Sequence, residues 1–239
     1  MRVIKDNRRL AKPTLQKLAV VGWIGVLYLA WVVGRDSWDR TMFSFQALAG
    51  RIPELDPFNQ RYVENPRMTL FHTIPGFLFA ILGPLQFMGA IRRRFPLIHR
   101  SSGRIFLLIG ITSGLAAIAM TLRFPIWGWG PNQLIGLGFG AFMVFAFVNA
   151  FRHVRARRFA IHREWMIRGF TTGMSVAFFR VGLNDVLPRL GIEDFTTRWN
   201  IVMWISFPIM LGIAELWTRA TRPAVKEVAP AMEPEAVPA

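Results

Sequence analysis

Cysteine is missing from the 239-residue chain, which excludes a disulfide scaffold, a thiolate metal site and a cysteine nucleophile. Acidic residues are scarce as well, with 14 Asp and Glu against 29 Lys and Arg. The sequence also lacks a Ser–His–Asp constellation, an H-E-x-x-H motif and a strand that would precede a G-x-G-x-x-G loop. We therefore expect no metal site and no catalytic residues of these kinds, and a non-enzymatic role is favoured.

Charged residues make up only 18% of the chain and hydrophobic residues 53%, yet the formal net charge is +15. A chain so apolar and so basic is either a nucleic-acid binder or a membrane protein. Its apolar residues collect in six runs of the length that a helix needs to cross about 30 Å of hydrocarbon. We therefore predict an all-α, polytopic membrane helix bundle with six transmembrane helices. The predicted spans are residues 18–34, 68–91, 105–122, 131–151, 165–187 and 199–217.

The basic residues are distributed unevenly between the connections of these spans. If the N-terminus is cytoplasmic, the inner segments hold most of the arginines, whereas acidic and basic residues are equal in number on the outer side. The positive-inside rule then predicts a bacterial inner-membrane protein with both termini in the cytoplasm. Short basic connections do not form one folded face, so nucleic-acid binding is disfavoured and contact with anionic lipid headgroups is expected.

Few residues lie outside the predicted spans. Residues 35–67 are expected to form a periplasmic loop, with a short interfacial helix around residues 43–52 that Pro53 would stop. The tail 223–239 is rich in Pro, Ala, Glu and Val, which predicts a disordered cytoplasmic segment. Residues 1–222 are then a single membrane domain.

Two inner connections resemble each other. Residues 93–100 read RRFPLIHR and residues 157–163 read RRFAIHR, and each joins an inward-running helix to a returning one. This similarity predicts two parallel-repeat helical hairpins, spans two–three and four–five, which would form a four-helix core.

A set of motifs, with a histidine early in the second span, resembles a known family. The motifs are GPLQF at 83–87, the arginine run 92–94, HRSSGR at 99–104 and HREWMIR at 162–168. In combination they are similar to the uncharacterised bacterial membrane proteins catalogued as domain of unknown function 2306, over about residues 68–190. The resemblance implies a multi-pass topology and no particular chemistry, because the family has no established activity.

Polar residues inside apolar spans are costly and therefore mark candidate sites. His72 lies near the outer end of the second span, and Arg180 lies at a similar depth in the fifth. We predict an outer-half pocket for an anionic headgroup, a quinone carbonyl or a transferred proton. The residues predicted to form it are His72, Arg180, Asn184, Asp185 and Arg123. The structural alternative is that these groups satisfy one another, with Arg180 pairing to Asp185 or reaching the interface.

Two further histidines, His99 and His162, belong to the repeated inner connections. As a pair they would suit haem b or a metal at the cytoplasmic interface. The surrounding arginines disfavour a bound cation, and the alternative is that the HR motifs anchor the helices at the interface.

Three function classes follow from these patterns. The first is a protein that binds a small ligand or lipid headgroup in the His/Arg pocket, as a transport-type protein. The second is a redox protein that binds haem b or quinone, and the third is an accessory subunit that packs against other membrane subunits. The lack of an acidic proton relay weakens transport, and the placement of the histidines weakens the redox class.

Overall fold

The computed structural model of the chain describes residues 12–52, 54–55, 57–123 and 130–222. Every regular element in these ranges is helical. In chain order the helices are α1 (Lys12–Leu48), α2 (Pro57–Glu64), α3 (Pro66–Phe87), α4 (Gly89–Arg94), α5 (Pro96–Arg123), α6 (Pro131–Arg155), α7 (Phe159–Val181), α8 (Leu187–Arg189) and α9 (Phe195–Ala220). A π-helical turn, Gly182–Val186, connects α7 to α8.

Five helices in the described ranges are long and apolar enough to cross a membrane, namely α1, α3, α5, α6 and α9. The predicted all-α membrane fold class is therefore confirmed. The predicted span 165–187 falls on α7 and the π-helical turn, and α7 is not among the five although it has 23 residues. Four charged residues interrupt its apolar sequence, so the six-span count is not confirmed. They are Arg163, Glu164, Arg168 and Arg180.

The sequence predicts that the first span ends at residue 34. In the structure the helix continues beyond this point to Leu48. At 1.5 Å per residue it is about 55 Å long, well beyond the thickness of the hydrocarbon. Ion pairs four residues apart, such as Arg35–Asp39, support the extension. Gly50, with a φ of +76°, ends it in the left-handed conformation that glycine adopts without strain. The predicted loop 35–67 is thus partly helical, and the predicted tail 223–239 lies outside the described residues.

Helices adjacent in the chain pack side by side, and α7 also contacts α1, which closes the arrangement into a bundle. Four phenylalanine rings from α3, α5, α6 and α7 meet at its centre, with ring centroids 4.9–6.3 Å apart. They are Phe79, Phe106, Phe147 and Phe170, and each is at most 5% exposed. Glycine makes room for them, since a Cβ atom on Gly110 would lie 2.5 Å from the ring of Phe147. The rings and glycines fix how closely the helices approach.

The bundle has two polar ends. At the α2 end, the second half of α1, the helix α2, the start of α3 and the end of α7 lie together. At the opposite end, here called the arginine end, the two basic connections differ in structure. The first contains α4, whereas the second is a tight turn in which Arg157 has a φ of 56°. The predicted duplication is therefore not confirmed.

Charged residues of α7 at the arginine end pair with α9 and with Arg222, which follows it. Arg168 donates to Glu215 at 2.5 and 3.2 Å, and Arg222 donates to both oxygens of Glu164 at 2.8 and 3.0 Å. The side chains of Arg168 and Glu164 are only 15% and 13% exposed, so they point into the bundle and away from lipid. These pairs connect α7 to α9 and account for two of the four charges that lower the hydropathy of α7.

Candidate functional site

Charged and aromatic side chains from four helices meet at the α2 end of the bundle. We name this group the Asp36 cluster, and it consists of Asp36, Arg40, Arg61, Tyr62, His72 and Arg180. The extension of α1 contributes the first two residues, because positions four apart share one face of a helix. Arg180 comes from the last turn of α7 and His72 from the second turn of α3.

Asp36 divides its two carboxylate oxygens between two guanidinium groups. Its Oδ1 lies 2.8 Å from Nη1 of Arg180, and its Oδ2 pairs with Nη1 of Arg40. The side chains of Arg40, Arg180 and Asp36 are 8%, 16% and 27% exposed. Charges so largely removed from water need opposite charges close by. Asp36 therefore explains how α7 accommodates an arginine near its end.

Tyr62 of α2 lies among three arginines. The guanidinium of Arg40 stacks 4.4 Å from the centre of its ring, and Nη2 of Arg61 donates to its hydroxyl at 3.0 Å. The side chain of Arg180 is also hydrogen-bonded to it. Burial raises the pKa of the Tyr62 phenol, but the three positive charges outweigh burial, and the pKa is lowered from its ordinary value. The phenol oxygen is thus held in a strongly positive environment.

His72 faces the same region from α3. Its ring is within hydrogen-bonding reach of the backbone of Ser113 in α5, and it lies within electrostatic range of Arg180 and Asp36. The Nδ1 atom of His72 and the Nε atom of Arg180 are both buried without a hydrogen-bond partner in the described chain. Such atoms are rare in folded proteins, and they are expected where water, an ion or a ligand binds.

The structure brings two of the five predicted pocket residues together, His72 and Arg180. Asn184 is exposed, and Asp185 pairs with Arg189 at 3.6 Å instead of with Arg180. Both lie in the π-helical turn, which contains an extra residue per turn and so rotates them away from the face of Arg180. Arg123 is exposed at the end of α5.

Sequence reasoning misses Asp36, Arg40, Arg61 and Tyr62, because it assigns residues 35–67 to a loop. A signal for part of the site was present. Asp36 and Arg40 have the spacing of a helical ion pair, and Ser37, Thr41 and Ser44 continue one polar face, which is buried in the structure. This face packs on α3, where the hydroxyl groups of Thr41 and Thr73 are 2.8 Å apart.

His99 and His162 lie at the arginine end, close enough for their charges to interact. Nδ1 of His162 donates to the carbonyl of Ala150 at 2.8 Å, since a carbonyl oxygen only accepts. Burial lowers the pKa of His162, which favours the neutral imidazole. The charged neighbours of His99 are Arg92 and Arg100, which disfavour a bound cation. Among the described residues, no group of three His, Asp or Glu side chains could hold a metal ion.

Other motif residues hold helices together at this end. Gln86 of the GPLQF motif donates to the hydroxyl of Ser102 in HRSSGR at 2.8 Å. Gly103 follows Ser102, and a Cβ atom there would lie 3.0 Å from Oε1 of Gln86. The motifs therefore fix the contact between α3 and α5.

Residues 69–218 match the family described as Predicted membrane protein (DUF2306). That range begins within α3 and ends within α9, so it includes His72 and Arg180 but not Asp36. No curated protein and no solved structure matches the chain.

Proposed function

The chain belongs to the DUF2306 family of predicted membrane proteins, and from this premise we propose that it binds an anionic small molecule or lipid headgroup at the Asp36 cluster. The binding residues are Arg180 and His72, with Asp36 as their internal counterpart. A buried guanidinium beside an imidazole is suited to a carboxylate or phosphate group, because such hydrogen bonds are assisted by charge.

The observation that carries the proposal is the incomplete pairing of Arg180. Asp36 contacts Nη1 of this guanidinium and also pairs with Arg40, while Nε of Arg180 is buried without a partner. A guanidinium has five N–H donors in a rigid, planar arrangement, so it can bind a second oxyanion beside the first. An anion that reaches Nε would therefore add a charge-assisted hydrogen bond and neutralise a largely buried positive charge.

Lipid titration of the full chain in detergent tests this proposal. Phosphatidylglycerol should stabilise the protein against thermal unfolding in a saturable way, by about 2.7 kcal/mol at a hundredfold excess over Kd. Phosphatidylcholine, which has no net charge, should not. The Arg180→Gln variant should lose the effect, whereas Arg189→Gln should keep it, since Arg189 is 74% exposed and belongs to the same end of the bundle. Equal responses of the two variants would refute the assignment to Arg180.

A second candidate function is haem binding by His99 and His162, and it is favoured by the hydrogen bond of His162. A histidine whose Nδ1 donates to a carbonyl presents Nε2 to a metal, as metal-bound histidines commonly do. The visible spectrum of the purified protein tests this candidate. A Soret band that disappears in the His99→Ala, His162→Ala double variant would support it, and iron-free, colourless protein would exclude it.

A further inference from the structure

Three polar atoms of the described chain, from three helices at or beside the Asp36 cluster, are buried without a hydrogen-bond partner. They are Nε of Arg180, Nδ1 of His72 and Oγ of Ser113, all buried. Ser113 is 6% exposed, and its backbone contacts the ring of His72, which in turn is within electrostatic range of Arg180. Because the three atoms come from α3, α5 and α7, a ligand bound between them would contact three helices at once.

The hydrogen-bonding roles of these atoms differ. Nε of Arg180 can only donate. The imidazole of His72 is within hydrogen-bonding reach of the backbone carbonyl of Ser113, and because Nδ1 has no partner, this carbonyl favours the proton on Nε2. Nδ1 of His72 is then an acceptor with a free lone pair. The hydroxyl of Ser113 takes either role.

We propose that the ligand of this site presents an oxyanion and a hydroxyl group side by side, as a glycerophosphate group does. The oxyanion accepts from Nε of Arg180, and the hydroxyl donates to Nδ1 of His72. This inference rests on the proposed function and specifies its ligand class. A bare carboxylate or a phosphate diester without a hydroxyl has acceptors only, so it would place lone pairs against Nδ1 and leave that atom unsatisfied.

A comparison of two lipids of equal charge separates the contribution of the oxyanion to binding from that of the hydroxyl. Phosphatidylglycerol and phosphatidylmethanol are both phosphate diesters with a single negative charge, and only the former has headgroup hydroxyls. We expect the detergent-solubilised protein to bind phosphatidylglycerol about tenfold more tightly, as one added hydrogen bond to a buried acceptor predicts. Dissociation constants are measured by microscale thermophoresis.

Substitutions at His72 test whether Nδ1 causes the preference for phosphatidylglycerol over phosphatidylmethanol. His72→Phe should bind the two lipids equally, because the acceptor is gone. His72→Gln should retain a preference, because its amide oxygen accepts, and this variant also keeps a polar group in case the phenylalanine variant does not fold. Equal binding of both lipids by the wild-type protein would overturn the inference while Arg180-dependent binding still stands. Loss of Arg180 dependence would overturn both proposals.

A competition experiment distinguishes a glycerophosphate group that belongs to a lipid from one that belongs to a soluble molecule. Free glycerol 3-phosphate has the same oxyanion and hydroxyls without acyl chains. Displacement of phosphatidylglycerol by glycerol 3-phosphate at comparable concentrations would identify a soluble ligand. Retention of the lipid under these conditions would identify a lipid headgroup.

Discussion

Asp36 of α1 and Arg180 of α7 form a 2.8 Å ion pair between two helices that are far apart in the chain. The pair places a charge of α7 inside the bundle, and Asp36 connects it further to Arg40. This relationship makes α1 part of the site, although α1 lies outside the range that matches the family.

Replacing Asp36 by asparagine should destabilise the protein and strengthen ligand binding at the same time. The two arginines lose a shared carboxylate, which should cost about 2 kcal/mol of unfolding free energy, less than for a fully buried pair because Asp36 is 27% exposed. Asp36 also competes with an external anion for Arg180, so phosphatidylglycerol should bind more tightly to Asp36→Asn. Thermal unfolding in detergent, with and without the lipid, measures both effects.

Asp39→Asn is the matched control for that experiment. Asp39 is 49% exposed and is 3.8 Å from Arg35, so its loss should change the unfolding free energy by less than about 0.5 kcal/mol. If Asp36→Asn had the same effect as this control on stability and on lipid binding, Asp36 would not be the internal counterpart of the ligand.

Alanine at Gly110 should destabilise the bundle by overpacking its aromatic core. The added Cβ atom would lie 2.5 Å from the ring of Phe147, and such insertions cost about 1–3 kcal/mol. Gly138→Ala in α6 is the control, since a Cβ atom there meets nothing within 4 Å. The two melting temperatures test the prediction, and a Gly110→Ala protein as stable as Gly138→Ala would contradict the close packing of Phe147.

Whether α7 crosses the membrane can be measured because the chain has no cysteine of its own. A single introduced cysteine is then the only thiol that an impermeant maleimide can label. Ala156 and Glu193 are exposed and lie beyond opposite ends of α7. We expect Glu193→Cys to be labelled from outside intact cells after removal of any outer barrier, and Ala156→Cys to be labelled only after lysis.

The same labelling pattern for both positions would show that α7 does not cross, and the chain would then have five spans. Arg51→Cys and Arg94→Cys, beyond opposite ends of α3, provide the comparison for a helix that meets the length and hydropathy of a span. Cytoplasmic termini predict that Arg51→Cys reacts from outside.

Tyr62 should ionise at a lower pH than an ordinary phenol. Three arginines lower its pKa from 10.0 despite its burial, so the folded protein releases this proton before the unfolded chain does. The contribution of Tyr62 to stability is therefore fully present above pH 10 and is lost as the pH falls through the lowered pKa. The chain has only two tyrosines, and a Tyr28→Phe variant isolates the tyrosinate absorbance of Tyr62. A midpoint at or above 10 would contradict this prediction.

The fold class and five of the membrane helices could be predicted from the sequence, because hydropathy over about twenty residues is a local property. The end of α1 could not. Charges at 35, 36, 39 and 40 predict the end of a membrane span, but the helix itself continues past them because they find partners. Those partners lie partly in α7, and no local pattern records such a contact.

The site could be predicted only in part, because some of its residues stand out locally in the sequence and others depend on contacts between helices. His72 and Arg180 stand out in the sequence because polar groups within apolar segments are costly. Ideal helical spacing places Asn184 on the face of Arg180 and Asp185 at the rim of the predicted pocket, and the π-helical turn breaks that spacing. The pairing of Arg180 with Asp36 depends on the packing of α1 against α7, which spacing along one helix does not determine.

The four phenylalanine rings at the centre of the bundle also bear on permeation. They lie between the charged α2 end and the arginine end, and they fill that space with apolar surface. An ion that moved along the bundle axis would have to pass this barrier without hydration, at a cost of several kcal/mol. If the proposed ligand binds at the Asp36 cluster, it would exchange with one face of the membrane only, and a transport-type role would require the rings to separate in each cycle.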